Sequence, residues 1–279
     1  VSVHAPAQSR NPLHPAADAA SNQGAVMTAE WPLIAFTVLS QLAAGLAVFL
    51  ALPGRPASRT GWLSVFVVGA AGLLASLFHL GQPLRAASAL NGLGTSWLSA
   101  EGLLFGVFTA LAGITWLRGG TGISAVGAAV VGILGLAAQG MTYAPESMPF
   151  VSGGLPLFIF FLSALTLGAV FRPLSGAEGE TRSFGGILPI CLWMLLAVLV
   201  IAPLTGLAAG TVMRASALAW LHSAWYWTGL LAIAATLVLV QADRMRPAQK
   251  ALALISVLCI RVAFFADTAH TAVWIGFPY

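Results

Sequence analysis

The polar residues of this sequence that could do chemistry lie near the ends of long apolar stretches. His79 and Arg85 follow a long, almost uncharged stretch, and Glu101 comes at the start of the next one. Ionisable side chains near hydrocarbon are costly, and by default they mark a functional site. A histidine exchanges protons near neutral pH, and a carboxylate can relay them onward. We therefore interpret His79 and Glu101 as a proton-transfer pair, with Arg85 beside them.

A second group of polar residues comes later in the sequence. Tyr143 follows the fourth apolar stretch, whereas Arg261, Asp267 and His270 belong to the last one. Arg261 lies too deep in that stretch to be an interface anchor, so we expect it to pair inside the bundle. Asp267 and His270 are three positions apart, and this spacing predicts a shared helical face. A straight helix turns by about 900° between Arg261 and His270, which would aim them in opposite directions.

Each of these residues also has a purely structural interpretation. His79 could be a helix-terminal residue that reaches the lipid headgroups, and Arg85 could anchor the chain at the interface. Glu101 could interact with the dipole in the first turn of its helix. The pair Asp267 and His270 could make a polar contact between helices. His222, which lies among tryptophans, fits an aromatic belt at the membrane surface.

The composition excludes an ordinary soluble domain. Hydrophobic residues make up 59% of the 279 residues, charged residues make up 7%, and the mean hydropathy is +0.92. The net charge of +4 comes from basic and acidic residues spread thinly along the sequence, which is not the clustered pattern of nucleic-acid binding. Cys191 and Cys259 both lie in apolar runs, so this protein cannot ligate an iron–sulfur cluster alone, and we expect two buried thiols.

Hydropathy predicts an all-α integral membrane protein with eight transmembrane helices. A helix needs about 20 predominantly apolar residues to cross a hydrocarbon core roughly 30 Å thick. Pro and Gly residues interrupt the apolar stretches and predict short antiparallel connections. We expect residues 1–26 to be a disordered extension, not necessarily native, and residues 27–279 to form one membrane domain. The predicted spans are 33–52, 61–80, 98–117, 122–141, 155–171, 186–207, 219–240 and 251–276.

The basic residues of the connections predict the orientation. The connections after the odd-numbered spans carry eight Lys and Arg residues, and the opposite side carries three. Because cytoplasmic loops are enriched in Lys and Arg, both termini should lie outside the cytoplasm. This orientation would place His79, Glu101, Tyr143 and His270 near the outer face.

Two segments of the sequence resemble the membrane anchor subunit of the dimethyl sulfoxide reductase family. One is HLGQPLRA at residues 79–86, followed by Leu90, Asn91, Gly94 and the Ser-x-Glu step that ends at Glu101. The other is EWPLIAFTVLSQLAAG, in which Glu30, Trp31, Pro32, Phe36, Gln41 and Gly45 match. In the later half the resemblance is limited to hydropathy and the segment that starts at Arg261.

The resemblance implies a multi-pass, haem-free anchor in the bacterial inner membrane. Such an anchor oxidises menaquinol or ubiquinol, for the reduction of dimethyl sulfoxide or a related acceptor. It docks a ferredoxin-like subunit with four iron–sulfur clusters, which passes electrons to a molybdopterin catalytic subunit, so both kinds of centre belong to partners. From the chemistry of the residues themselves, we expect His79, Glu101 and Arg85 to contact the quinol, and Arg261, Asp267, His270 and Tyr143 to form a secondary polar network.

Three other functions remain open at this point. An anchor for a sulfite-oxidising molybdoenzyme would deliver electrons to quinone, which is the same ring chemistry in reverse. A b-type cytochrome would need two facing histidines for each haem. A transporter would need discontinuous helices around a site at the membrane midplane, whereas only Arg261 is deep in this sequence.

Overall fold

The computed structural model describes residues 15–52, 58–79, 92–172, 186–243 and 245–271, with the backbone alone for residues 15–30 and residue 79. All regular structure in these ranges is helical. The helices are α1 (Pro15–Leu50), α2 (Arg59–His79), α3 (Trp97–Leu117), α4 (Ile123–Thr142), α5 (Leu155–Phe171), α6 (Ile187–Leu207), α7 (Thr211–His222), α8 (Ala224–Gln241) and α9 (Arg246–Ala266).

The helical bundle agrees with the membrane prediction. Seven of the described helices, all except α5 and α7, contain segments long and apolar enough to cross a membrane. Helix α5 is apolar and has 17 residues, the lower limit for a crossing. Most predicted spans therefore coincide with a helix to within a few residues. Which end of the bundle faces the cytoplasm stays a prediction.

The prediction of one continuous span over residues 219–240 was wrong. The structure ends α7 at His222 and starts α8 at Ala224, with Ser223 in an extended conformation between them. The Ser223 hydroxyl accepts a hydrogen bond from the backbone N–H of Tyr226, which is a typical N-cap arrangement. Hydropathy could not show this break because the residues on both sides are apolar.

Both ends of the protein differ from the sequence expectations. Helix α9 ends at Ala266, so Asp267 and His270 do not share a helical face, and the expectation for Arg261 and His270, which assumed one straight helix through both residues, does not apply. At the other end, α1 begins at Pro15, so part of the extension expected to be disordered is helical. The division at residue 26 remains a prediction.

Helix α1 joins two halves of the bundle, since it packs against α2 and α4 on one side and against α5 and α9 on the other. The first half, α1 to α4, has a core that includes Trp62, Phe105 and Phe108. The second half, α5 to α9, has a core that includes Phe160 and Trp220. Close van der Waals packing of these large apolar side chains holds each half together, and α1 forms the boundary between the halves.

The backbones of α1 and α5 touch where Gly45 faces Gly168. A methyl group on Gly45 would overlap the carbonyl oxygen of Ala164, and one on Gly168 would overlap the backbone of Gly45. Small residues at helix crossings let membrane helices approach this closely. The crossing fixes the distance between the two halves.

One end of the bundle, which we call the site end, collects the polar segments. Helix α4 ends there, and the α4–α5 connection accepts a hydrogen bond at Ser147 O from the backbone N–H of Thr271, at 2.9 Å. Helix α3, antiparallel to α4, begins at the same end with Trp97. The site end therefore brings together Glu101, Tyr143 and the segment after α9.

Candidate functional site

Four buried polar residues from four helices form a continuous series of hydrogen bonds. They are Gln41 on α1, Glu101 on α3, Gln139 on α4 and Arg261 on α9, and each is at most 1% exposed. Arg261 Nη2 donates to Gln41 Oε1 at 2.9 Å, and Gln41 Nε2 donates to Gln139 Oε1 at 3.1 Å. Gln139 Nε2 then donates to Glu101 Oε1 at 3.0 Å. We call these four residues the polar network.

The hydrogen bonds of the polar network all run in one direction, from the donor Arg261 to the acceptor Glu101. A guanidinium group only donates hydrogen bonds, and an ionised carboxylate only accepts them. The Arg261 end therefore requires the oxygen of Gln41 to face it, and the Glu101 end requires the nitrogen of Gln139. The remaining contact, from Gln41 Nε2 to Gln139 Oε1, agrees with both requirements. Both ends are hydrogen bonds to charged groups, which are the stronger kind.

A serine fixes the position of Gln139. The Nε2 group of Gln139 also donates to the hydroxyl oxygen of Ser40, at 3.0 Å. The Ser40 hydroxyl in turn donates to the carbonyl oxygen of Thr37, at 3.1 Å. The Gln139 amide thus uses its oxygen and both of its N–H groups, so its orientation is fully determined.

Aromatic rings surround the buried arginine. The guanidinium carbon of Arg261 lies 3.9 Å from the ring centroid of Phe160 and 5.8 Å from that of Phe264. A cation over a ring face is attracted to it, which offsets part of the cost of removing the charge from water. The prediction that Arg261 pairs inside the bundle is confirmed, with Gln41 as its hydrogen-bond partner.

Several polar atoms of the network have no partner among the described residues. They are Glu101 Oε2, Arg261 Nε and Arg261 Nη1. Thr142 lies close to Glu101, but its hydroxyl donates to the carbonyl oxygen of Ala138 at 2.9 Å. Buried polar atoms are nearly always hydrogen-bonded, so these atoms are available to a bound molecule or water.

Glu101 does not have the helix-dipole role that its sequence position allowed. Helix α3 begins at Trp97, and Glu101 lies beyond the first turn and points into the bundle. The N-cap residue Ser96 makes no capping hydrogen bond through its side chain. The carboxylate therefore belongs to the polar network, and its part in proton transfer stays a prediction.

Tyr143 lies next to the polar network, directly after α4. Its ring packs against Phe160 and Phe265, with ring centroids 6.0 and 5.2 Å away. Burial raises the pKa of Tyr143 well above the usual value of 10.0, the charge of Glu101 raises it further, and the charge of Arg261 lowers it. Tyr143 is therefore a neutral hydroxyl at physiological pH, in electrostatic contact with both ends of the network.

The side chains of His79 and Arg85 lie outside the described residues. The backbone of α2 ends at His79, and α2 packs against α3. The description resumes at Gly92, which lies against Ser99 near the beginning of α3. The connection that contains Arg85 thus leads from the end of α2 to the start of α3, and the roles of both residues stay predictions.

Asp267 and His270 belong to a different group of contacts, at the junction of α7 and α8. Trp220 Nε1 donates to the Thr268 hydroxyl at 3.2 Å, and the backbone N–H of Ala269 donates to Ser216 Oγ at 3.0 Å. These bonds hold the segment after α9 against α7, which explains why the helix stops. Burial raises the pKa of Asp267, a hydrogen bond with Ser223 lowers it, and burial lowers the pKa of His270.

Sequence reasoning did not assign a role to Gln41 or Gln139. Each is the single amide side chain in an otherwise apolar span, a pattern typical of polar contacts between membrane helices. Gln41 also lies in the segment that resembles the anchor family. That signal could have marked both residues, although not their contact with each other.

The remaining chemistry-bearing residues form no further site in the described ranges. Cys191 and Cys259 are free and buried, as predicted. No three His, Cys, Asp or Glu residues within these ranges are close enough to hold a metal ion. An apolar cavity of about 310 Å³ lies between α5, α6 and α7, and no polar-network residue lines it.

The fold and the polar network define a multi-pass membrane protein with a buried ionisable site. The sequence matches the family described as DMSO reductase anchor subunit (DmsC) over residues 26–267, and the protein belongs to that family.

Three curated relatives have similar sequences. The anaerobic dimethyl sulfoxide reductase subunit YnfH of Escherichia coli (strain K12) is 31% identical over 157 residues, which cover 50% of this sequence and 55% of that protein. The C subunit of the Haemophilus influenzae reductase is 32% identical over 155 residues, 50% of this sequence and 56% of that protein. The C subunit of the E. coli reductase is 37% identical over 97 residues, 32% of this sequence and 34% of that protein. The match therefore spans about half the length of the relatives, or less.

Proposed function

We propose that this protein is the quinol-oxidising anchor of a molybdoenzyme complex in the bacterial inner membrane. The observation that carries the proposal is the buried carboxylate of Glu101, which has one oxygen without a partner in the described part of the protein. This oxygen lies near the start of α3, beside the helix that ends at His79. Membership of the anchor family supports the same function.

The reaction at the site converts a quinol to a quinone. Two O–H bonds break, two protons leave the hydroxyl groups, and two electrons leave the ring. His79 takes up one proton, and Glu101 Oε2 accepts the other, because an imidazole and a carboxylate can both act as general bases toward a quinol hydroxyl group. Arg85 orients the ring from the connection between α2 and α3.

The electrons leave through partner subunits. A ferredoxin-like subunit with four iron–sulfur clusters accepts them and delivers them to a molybdopterin subunit that reduces dimethyl sulfoxide or a related acceptor. Tunnelling requires the first cluster to lie close to the quinol, so the partner docks at the site end. Trp97 and Glu146 are exposed at that end and suit a docking surface. We place the site end on the non-cytoplasmic side, where the protons are also released.

Substitutions at the two proton acceptors test this function in the assembled complex. We expect His79→Leu and Glu101→Gln each to lower quinol-dependent reduction by at least about a hundredfold, the usual effect of losing a general base. Reduction driven by an artificial dye donor, which bypasses the anchor, should persist in both variants. Thr236→Val, which removes a buried hydroxyl bonded within α8, serves as the matched control. Wild-type quinol turnover in Glu101→Gln would exclude that carboxylate from the reaction.

A further inference from the structure

We infer that Arg261 sets the proton affinity of Glu101 through the amides of Gln41 and Gln139, so that both glutamines are positioning residues of the site. The inference rests on the proposed function for its use in catalysis. The evidence is the unbroken series of hydrogen bonds from Arg261 to Glu101, in which every donor points toward the carboxylate.

The two charges are close enough to interact but too far apart to form an ion pair. Hydrogen bonds of 2.9, 3.1 and 3.0 Å and the width of two amides place Arg261 Nη2 within roughly 14 Å of Glu101 Oε1. At that distance, with the two amides and the surrounding protein together treated as a medium of effective dielectric constant about 20, the attraction amounts to about one pH unit. A direct ion pair typically shifts a carboxylate by about one to three units.

This spacing suits a group that must be ionised before the reaction and protonated afterwards. A direct contact with Arg261 would hold Glu101 in the ionised form, and removal of the arginine would leave a buried carboxylate that stays protonated. The two amides transmit part of the attraction. Glu101 is therefore ionised before the reaction and can still take up a proton from a quinol hydroxyl group.

The network also assigns the proton to one oxygen. Gln139 donates to Glu101 Oε1, and that oxygen can keep this bond as the carbonyl oxygen of a neutral acid. The proton then binds Oε2, which has no partner among the described residues. Proton uptake thus requires no rearrangement of Gln41 or Gln139.

Two other ionisable residues belong to the site end of the bundle, Tyr143 and His79. Tyr143 interacts electrostatically with both Glu101 and Arg261, and it remains neutral because burial raises its pKa. His79 precedes Glu101 at the site end, on the neighbouring helix α2. Neither residue changes in the variants below, so differences between the variants report on the network.

The test measures the protonation of Glu101 directly, in the full-length protein reconstituted in nanodiscs without quinol. Infrared spectra at a series of pH values follow the carbonyl stretch of the protonated acid, and Glu101→Gln identifies the band. We expect Arg261→Met to raise the midpoint by about one pH unit, because it removes the attracting charge. Arg261→Lys should bring it back toward wild type. Thr166→Val, a fully buried hydroxyl on α5, is the control and should leave it unchanged.

A double-substitution cycle tests the role of the amides. If Arg261 acts through them, the single substitution Gln41→Met raises the midpoint. When Arg261→Met is then added to Gln41→Met, the further shift is less than half of the shift that Arg261→Met causes in the wild-type background. Additive shifts would show that the attraction between Arg261 and Glu101 does not depend on Gln41, and they would overturn the positioning role. An unchanged midpoint in Gln41→Met would also overturn the positioning role, and this result does not depend on whether Arg261→Met folds.

The two proposals can fail separately. Shifted midpoints together with full quinol turnover in Glu101→Gln would support the network and refute the proposed function. Loss of quinol turnover in Glu101→Gln, with the same midpoint in Arg261→Met as in wild type, would refute the network and retain the proposed function.

Discussion

The crossing of α1 and α5 offers the sharpest test of how the bundle is held together. In Gly45→Ala the new methyl group would overlap the carbonyl oxygen of Ala164 and lie 2.7 Å from its carbonyl carbon, where ordinary contacts are 3.4–4 Å. The obstacle is backbone rather than a flexible side group, so the two helices must separate by roughly 1 Å to restore normal contact.

The cost of this separation follows from known overpacking effects. Adding a methylene group to a tightly packed core costs typically about 1–3 kcal/mol, and the rigid backbone here favours about 3 kcal/mol. For a domain of this size, that corresponds to a fall of roughly 6–12 °C in Tm. Since Gln41 lies one helical turn before Gly45, the displacement should also weaken the polar network.

Two buried cysteines of the protein can report its thermal unfolding. Cys191 and Cys259 are free, and each is 4% exposed, so a maleimide dye that fluoresces on reaction detects thermal unfolding in detergent. Gly106→Ala is the matched control, because a methyl group there meets nothing within 4 Å. Equal Tm values for Gly45→Ala and Gly106→Ala would refute the close helix contact.

Three further predictions concern other parts of the bundle. Tyr226→Phe removes the hydrogen bond from the tyrosine hydroxyl to Leu199 O, at 2.9 Å, and should lower the unfolding free energy by about 1 kcal/mol in the same thiol assay. Thr268→Val leaves the buried indole N–H of Trp220 without its acceptor and should cost about 1–3 kcal/mol; Thr236→Val, whose hydroxyl bonds only within its own helix, is the comparison, and equal losses would contradict the contact. The folded protein holds the Tyr143 proton more tightly than the unfolded protein does, so Tm should fall as the pH rises above 10.0, and Tyr143→Phe should reduce that fall. An identical decline in Tyr143→Phe would assign the effect to other groups.

Most of the membrane architecture could be predicted from the sequence, because hydrocarbon thickness fixes the length of each crossing and the apolar runs are separated by Pro and Gly. Predictions from local composition were wrong where hydrogen bonds in the folded protein end a helix. The apolar run continues through Ser223 and beyond Ala266, yet hydrogen bonds to Ser223, Ser216 and Trp220 end the helices there.

The candidate site could be predicted only in part, for a related reason. Glu101 and Arg261 stood out because each is a charged residue in an apolar span. The link between them depends on the rotation of α1 and α4 about their axes, which brings two glutamines separated by 98 positions into hydrogen-bond contact. The residue pattern of a single span does not determine how that helix is rotated relative to its neighbours.

Helix α1 couples the stability of the bundle to the chemistry of the site. It contributes Gly45 to the contact with α5, and one turn earlier it contributes Gln41 to the polar network. Arg261 belongs to the second half of the bundle and Glu101 to the first, so the polar network is complete only when both halves are docked against α1. A substitution that loosens the crossing should therefore change the protonation of Glu101 before it unfolds either half. Substitutions within one core, such as Tyr226→Phe, should lower stability and leave that protonation unchanged.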